Sequence, residues 1–275
     1  MAKVLIGSIN HDGRMDAEGA AALFCFPSGG RHHCTAMPKT SSLLPLNCNV
    51  VWTEALNRRK TPENPDGFEW FAMLHSDIRP GANWVDVLIE EAEKYRADMV
   101  SVAVPIKDNR GLASIAVFGE DRPWMAKYRL TFDQIHNKLP ETFDLRDCVR
   151  VLAFDAMDSR FHVNLHTHTL DVNTGCCIVR LDRDWGDSGV YFEQRDRITR
   201  NANGLWQAET QSEDWVFSRK ISNAGGKVMA TRRVVVVHEG MTGWRSDRVW
   251  GKEIDEGLLI PKEKEEPKPQ EQEVA

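Results

Sequence analysis

Residues 68–80 read Phe-Glu-Trp-Phe-Ala-Met-Leu-His-Ser-Asp-Ile-Arg-Pro. Trp70 to Leu74 is an almost unbroken apolar run, and it stops abruptly at His75-Ser76-Asp77. A strand buried on both faces has this pattern when it delivers polar side chains at its carboxyl end. In open α/β sheets ligands bind just beyond such strand tips. Standing alone, Asp77 also reads as an ordinary turn former or helix cap, so the rest of the chain has to decide between the two.

The N-terminus supplies a matching unit. Val4 to Ile6 is a short apolar strand, Gly7-Ser8-Ile9-Asn10-His11-Asp12-Gly13 a polar loop, and Ala17 to Phe26 an alanine-rich helix. Strand, polar loop and helix open many nucleotide-binding α/β folds. The glycine spacing of a dinucleotide fingerprint or a Walker loop is missing. Val50 to Arg59 presents an apolar helical face with Asn47 or Asn49 as its cap. Past Arg79-Pro80-Gly81, Asn83 caps a helix with Trp84, Val87, Leu88, Ala92 and Tyr95 on one side. Met99 to Val104 is the next strand, stopped by Pro105. The expected class is therefore α/β, with a mostly parallel central sheet flanked by helices.

Length and composition bound the function. A chain of 275 residues with 41% apolar and 28% charged residues suits one globular α/β domain or two halves sharing a sheet. A net charge of −6 argues against a broad nucleic-acid or anionic-membrane surface. No apolar run reaches the roughly 20 residues of a membrane span, and Lys3 leads directly into a strand with no signal peptide. The 6 scattered cysteines suit reduced thiols, so the expected location is cytoplasmic.

The middle of the chain is less informative. Ala113 to Phe118 reads as a strand, Thr131 to Leu139 as a short helix, and Cys148 to Phe154 as another strand. His32, His33 and Cys34, with Cys25 upstream, have no second ligand pair at zinc-finger spacing. His162, His166 and His168 cluster, with two rings on one strand face; the alternatives are a metal site and a polar strand near a cleft. Asn173-Thr174-Gly175 precedes the strand Cys176 to Val179, with a glycine where a backbone or ligand comes close.

The second anchor is Ser212-Glu213-Asp214-Trp215-Val216-Phe217. Ser212 is a good N-cap, and Gly225-Gly226 stops the helix. Acids in a first turn complement the helix dipole, and the same placement suits a general base. Val228 to Ala230 and Val234 to Val237 follow as strands, the second ending in His238-Glu239-Gly240. Residues 258–275 are charged and contain no aromatic side chain, as in a disordered tail.

Taken in order, His75-Ser76-Asp77, Glu213-Asp214 and His238-Glu239-Gly240 resemble the motifs of inverting glycosyltransferases of the GT-A fold, the family-two type, and the chain is similar to glycosyltransferase-like proteins of phages and bacteria. The resemblance spans roughly residues 3–243. It implies a Rossmann-like nucleotide-sugar half at 1–110, a connecting or lid region at 111–160 and an acceptor-side half at 161–257. It also implies a hexosyltransferase-like enzyme that moves a sugar from a nucleotide diphosphate sugar, with Ser8, Ile9, Asn10, His75 and Ser76 at the donor. Asp77 and His238 would hold Mn²⁺ or Mg²⁺. Asp214 would be the base, with Glu213 as the substitute. Asn173, Thr174, Gly175 and Trp215 would face the acceptor. His75 departs from the family's usual Asp. The acceptor stays open among a glycan, a protein, a lipid carrier and a hydroxymethylated base of phage DNA. The arginines around 195–248 leave room for DNA. A nucleotidyltransferase lacks its phosphate loop here, while a non-catalytic nucleotide-sugar or glycan-binding protein remains an alternative.

Overall fold

A computed structural model describes residues 1–11, 13–118, 128–156, 167–240 and 243–251. Its centre is a seven-stranded sheet in the order β2 (His33–Thr40), β1 (Lys3–Asn10), β3 (Trp70–His75), β10 (Cys176–Arg180), β5 (Met99–Val102), β13 (Val228–Thr231) and β8 (Thr142–Phe143). β1 runs parallel to β2 and β3, and β13 parallel to β5. β10 lies antiparallel between β3 and β5, and β8 is antiparallel to β13. The sheet is thus mixed and mostly parallel, as an α/β chain with helical crossovers builds it.

Alternation along the strands feeds two cores, one on each face. Leu5, Ile9, Phe71 and Met73 pack on one side with Val51, Trp52 and Ala55 of α2 (Leu44–Asn57) and Phe217 and Ile221 of α6 (Glu213–Asn223). Val4, Ile6, Trp70, Ala72 and Leu74 pack on the other with Ala22 and Leu23 of α1 (residues 17–28) and Trp84 and Leu88 of α3 (Trp84–Tyr95). Each fully buried side chain of this size contributes about 1.5–3 kcal/mol. Both sides of the strands are occupied, which is why residues 70–74 carry no polar side chain.

Three smaller sheets surround the centre. β6 (Leu112–Phe118) joins β7 (Tyr128–Thr131) and β9 (Thr169–Val172), and β11 (Arg195–Arg200) pairs with β12 (Trp206–Gln211) as a hairpin. β14 (Val236–Glu239) lies between β4 (Ile78–Pro80) and β15 (Gly243–Arg245). A short helix, α4 (Phe132–Asn137), opens on a capping box made by Thr131 and Gln134.

Several expectations need correction. Residues 148–154 belong to a helix, α5 (Leu145–Ala156), and not to a strand. Cys148, Val151 and Leu152 are the buried positions, the i, i+3, i+4 spacing of a helix. The Asp144 carboxylate accepts the backbone N–H groups of Arg146 and Asp147 at the helix start. α2 begins several residues before the expected start, since Pro45 fits a first turn. Asn47 and Asn49 therefore lie inside the helix, and their amides donate to the Asn10 and Ser41 carbonyls and to the Phe192 carbonyl. α1 continues to residue 28 through a π-helical stretch, Ala21–Cys25. His162, His166 and the 258–275 tail lie outside the described residues.

Candidate active site

The site gathers at the carboxyl end of β3. The chain turns there at Ser76 and Asp77 and continues into β4, and the Ser76 N–H donates to the Ile9 carbonyl at the end of β1 at 3.2 Å. β14 pairs with β4 so that His238 stands opposite Ile78, and the Glu239 N–H donates to the Asp77 carbonyl at 2.7 Å. This register carries His238 to Asp77 across 160 residues of sequence; Nε2 and the Asp77 Oδ2 are 3.4 Å apart.

The other ring nitrogen of His238, Nδ1, lies 2.7 Å from the Pro105 carbonyl oxygen. A carbonyl only accepts, so Nδ1 carries the proton. Nε2 then either bears a second proton and pairs with Asp77, or presents a lone pair beside the carboxylate. Asp77 has one more neighbour: the Lys107 ammonium donates to Oδ2 at 2.5 Å. Burial works against the charge of Asp77, but His238 and Lys107 outweigh it and hold the carboxyl far below the usual carboxylate range.

The second group arrives through β10. Because β10 runs against β3, its start, and not its end, lies at the tip of β3, and the His75 N–H donates to the Gly175 carbonyl at 2.8 Å. A Cβ on Gly175 would stand 2.6 Å from the Ile78 side chain, 2.7 Å from the Asn173 side-chain oxygen and 3.3 Å from the His75 ring. The glycine thus serves a close approach of backbone to side chains. The Gly175 N–H is taken by Asn173 Oδ1 at 2.7 Å, and the Asn173 amide donates to Asp214 Oδ2 at 2.7 Å. The Thr174 hydroxyl donates to the other Asp214 oxygen. Two of the residues expected at the acceptor thus direct their side chains at the expected base.

Ser212 is the N-cap of α6 by position, without a side-chain cap hydrogen bond. Glu213 and Asp214 in its first turn are both buried. Burial pushes the Glu213 carboxyl up to about 6, helped by the neighbouring Asp214. Burial also raises Asp214, against the hydrogen bonds from Thr174. Burial lowers the His75 imidazole, against the pull of Asp77 and Glu213. Buried His75 Nε2 has no hydrogen-bond partner among the described residues.

The remaining expected residues are placed as follows. The Ile9 side chain belongs to the core, so only its backbone borders the site. Ser8 is fully buried, its hydroxyl without a partner among the described residues. Asn10 accepts from the Gly13 N–H and from the Thr40 hydroxyl. Trp215 packs on Ala116, with the Arg129 guanidinium 4.7 Å from its ring centre. Lys107 was missed by the sequence reading. Its one signal is a position in the polar loop that follows β5, at the sheet edge where β3 also ends.

Among the described residues no group of three or more His, Cys, Asp or Glu side chains stands together as a metal cage, at the His32–Cys34 cluster or elsewhere. Asp77 and His238 nonetheless have features of a ligand pair. Ligands sharing one ion at about 2.0–2.2 Å stand about 3.0–3.5 Å apart, and metal-binding imidazoles commonly donate their other N–H to a backbone carbonyl.

No protein-family model matches the sequence, and no curated protein matches it. Among solved structures, S. aureus TarS superposes on 92% of this chain and 37% of its own, with 11% identity and a TM-score of 0.42. The chain spans well under half the length of that protein. No helix among the described residues is long and apolar enough to cross a membrane.

Proposed function

We propose that the chain is an inverting glycosyltransferase that moves a sugar from a nucleotide diphosphate sugar to an acceptor hydroxyl. The observation that carries this reading is convergence. Residues 75–77, 173–175, 213–214 and 238 lie far apart in the chain and meet at one edge of the sheet.

Asp214 is the proposed base. Asn173 and Thr174 each donate to one of its oxygens, which fixes the direction of the lone pairs that remain. It takes the proton of the acceptor hydroxyl as that oxygen bonds to the anomeric carbon. The bond to the donor diphosphate breaks on the opposite side, and the configuration inverts. Glu213 is the substitute base, since a carboxyl tuned to about 6 is ionised at neutral pH yet still basic.

Asp77 and His238 are the residues that would hold a divalent cation, which when bound would neutralise the departing diphosphate. A carboxylate with an imidazole suits Mn²⁺ better than Mg²⁺. The donor nucleotide would lie along the ends of β1 and β3, by Ser8, Asn10, His75 and Ser76.

The test is a thermal-shift and turnover screen of uridine, guanosine, cytidine, adenosine and thymidine diphosphate sugars with Mn²⁺ or Mg²⁺. A donor that binds the native state raises the melting temperature. The expected result is metal-dependent stabilisation that Asp77→Ala loses. Donor hydrolysis should fall about 10²–10⁴-fold in Asp214→Asn. Equal hydrolysis in Asp214→Asn and its loss in Glu213→Gln would move the base to Glu213. Binding without turnover in the unaltered protein would make it a nucleotide-sugar-binding protein, and no stabilisation by any donor would end the reading.

A further inference from the structure

One loop contacts both halves of the Asp77–His238 pair. The Pro105 carbonyl accepts a hydrogen bond from the His238 Nδ1–H, and two residues later Lys107 places its ammonium on Asp77. The loop is held in shape on either side of Lys107. The Ile106 N–H donates to the Leu112 carbonyl, the Asp108 carboxylate takes both the N–H and the guanidinium of Arg110, and Gly111 turns with φ +75° beneath the Trp250 carbonyl. The Lys107 and Asp77 side chains are 34% and 42% exposed. A pair this open contributes too little to stability to explain the placement as a structural staple. The ammonium sits on a flexible four-carbon stem, so it can leave Asp77 and remain beside the tip of β3.

We propose that Lys107 is a diphosphate-binding residue, a cation built into the chain that engages the donor diphosphate directly. This rests on the glycosyltransferase reading and adds to it a source of diphosphate affinity independent of any metal. The charge balance favours it. A nucleoside diphosphate carries two to three negative charges, and one divalent ion held by Asp77 contributes only one net positive charge. A lysine ammonium at the same half-open carboxylate supplies the balance, as fixed cations do at other phosphate-transfer sites.

The test is calorimetric binding of uridine, guanosine, cytidine, adenosine and thymidine diphosphates to the intact chain, once with Mn²⁺ and once with EDTA. The expected result is a diphosphate that binds with Mn²⁺ and still binds, more weakly, in EDTA. Lys107→Ala should weaken the EDTA affinity at least about tenfold while Lys107→Arg keeps it. Melting temperatures of the two variants within about 2 °C of the unaltered protein would show that folding is not the cause. EDTA binding unchanged in Lys107→Ala would overturn the proposal, and so would binding that vanishes in EDTA for the unaltered protein. In both cases the glycosyltransferase reading survives, because Mn²⁺-dependent binding remains. Failure of every diphosphate to bind with Mn²⁺ would remove both.

Discussion

Two carboxylates of this protein each pair with a cation and a further polar side chain, in opposite surroundings. Glu91, on α3, is fully buried. Arg233 donates to one of its oxygens and Thr142 to the other, and the Thr142 hydroxyl meets that of Thr231 at 2.7 Å. Asp77 also has a cation, Lys107, and its second neighbour is the His238 imidazole, but it stands half open at the strand tip. The Glu91 network ties α3 to β8 and β13, and both its oxygens are taken. The Asp77 network is partly exposed, and its cation stands on a flexible four-carbon stem. For these two cation-paired acids, saturation and burial set apart the one that ties elements of the fold together from the one that stands partly open to solvent.

The sharpest way to break this contrast is truncation. Glu91→Ala leaves the buried Thr142 hydroxyl without its carboxylate acceptor and takes from Arg233 one of its two acid partners, Glu90 remaining, and should cost about 1–3 kcal/mol in urea unfolding. Asp77→Ala should cost less than about 1 kcal/mol by the same measurement. Equal losses would mean that Asp77 is a structural acid after all.

Gly175→Ala tests how closely the site is packed. The added methyl would press on Ile78 and on the Asn173 oxygen, at a cost of about 1–3 kcal/mol. Asn173 aims Asp214, so donor hydrolysis should fall further than the stability change accounts for. A variant that loses stability alone would show that the Asn173–Asp214 bond does not direct the proposed base.

The smallest effect is in pH. The folded protein raises the Glu213 carboxyl from its ordinary 4.5 to about 6. The folded state therefore holds this proton more tightly than the unfolded chain does. The stability it contributes is complete below about pH 4.5 and is lost as pH rises through about 6, an amount of about 1–2 kcal/mol. Urea melts at pH 4.5 and 7.5 should show this fall in the unaltered protein, and less of it in Glu213→Gln. Parallel pH profiles for the two would mean that Glu213 is not the group responsible.

Much of this was legible in the sequence. The buried run at 70–74 and its polar ending identify a central strand, because a strand covered on both faces has no place for polar side chains. Glu213-Asp214 opens a helix, as its position after Ser212 predicts, and His238 lies in the strand to which the apolar run at 234–237 leads. The direction of β10 was not legible, since alternation reads the same whichever way a strand runs, and that reversal brings Asn173 and Thr174 to Asp214. α5 was read as a strand because Cys148 to Phe154 is short and apolar enough for either element. Lys107 looked like any solvated lysine in a polar turn. Only the pairing of β4 with β14 and the course of the 105–111 loop put it against Asp77.

Gly111, beneath the Trp250 carbonyl, has a consequence for handling the protein. Trp250 stacks on Phe132 with ring centres 6.0 Å apart and donates its indole N–H to the Arg245 carbonyl. The Ser246 hydroxyl accepts the Val236 N–H beside β14. Residues 243–251 therefore act as a clasp on the loop that carries Pro105 and Lys107. Cleavage within 243–251 is therefore expected to loosen the 105–111 loop more than the central sheet, so the melting temperature and nucleoside diphosphate binding of a trimmed preparation need to be measured separately.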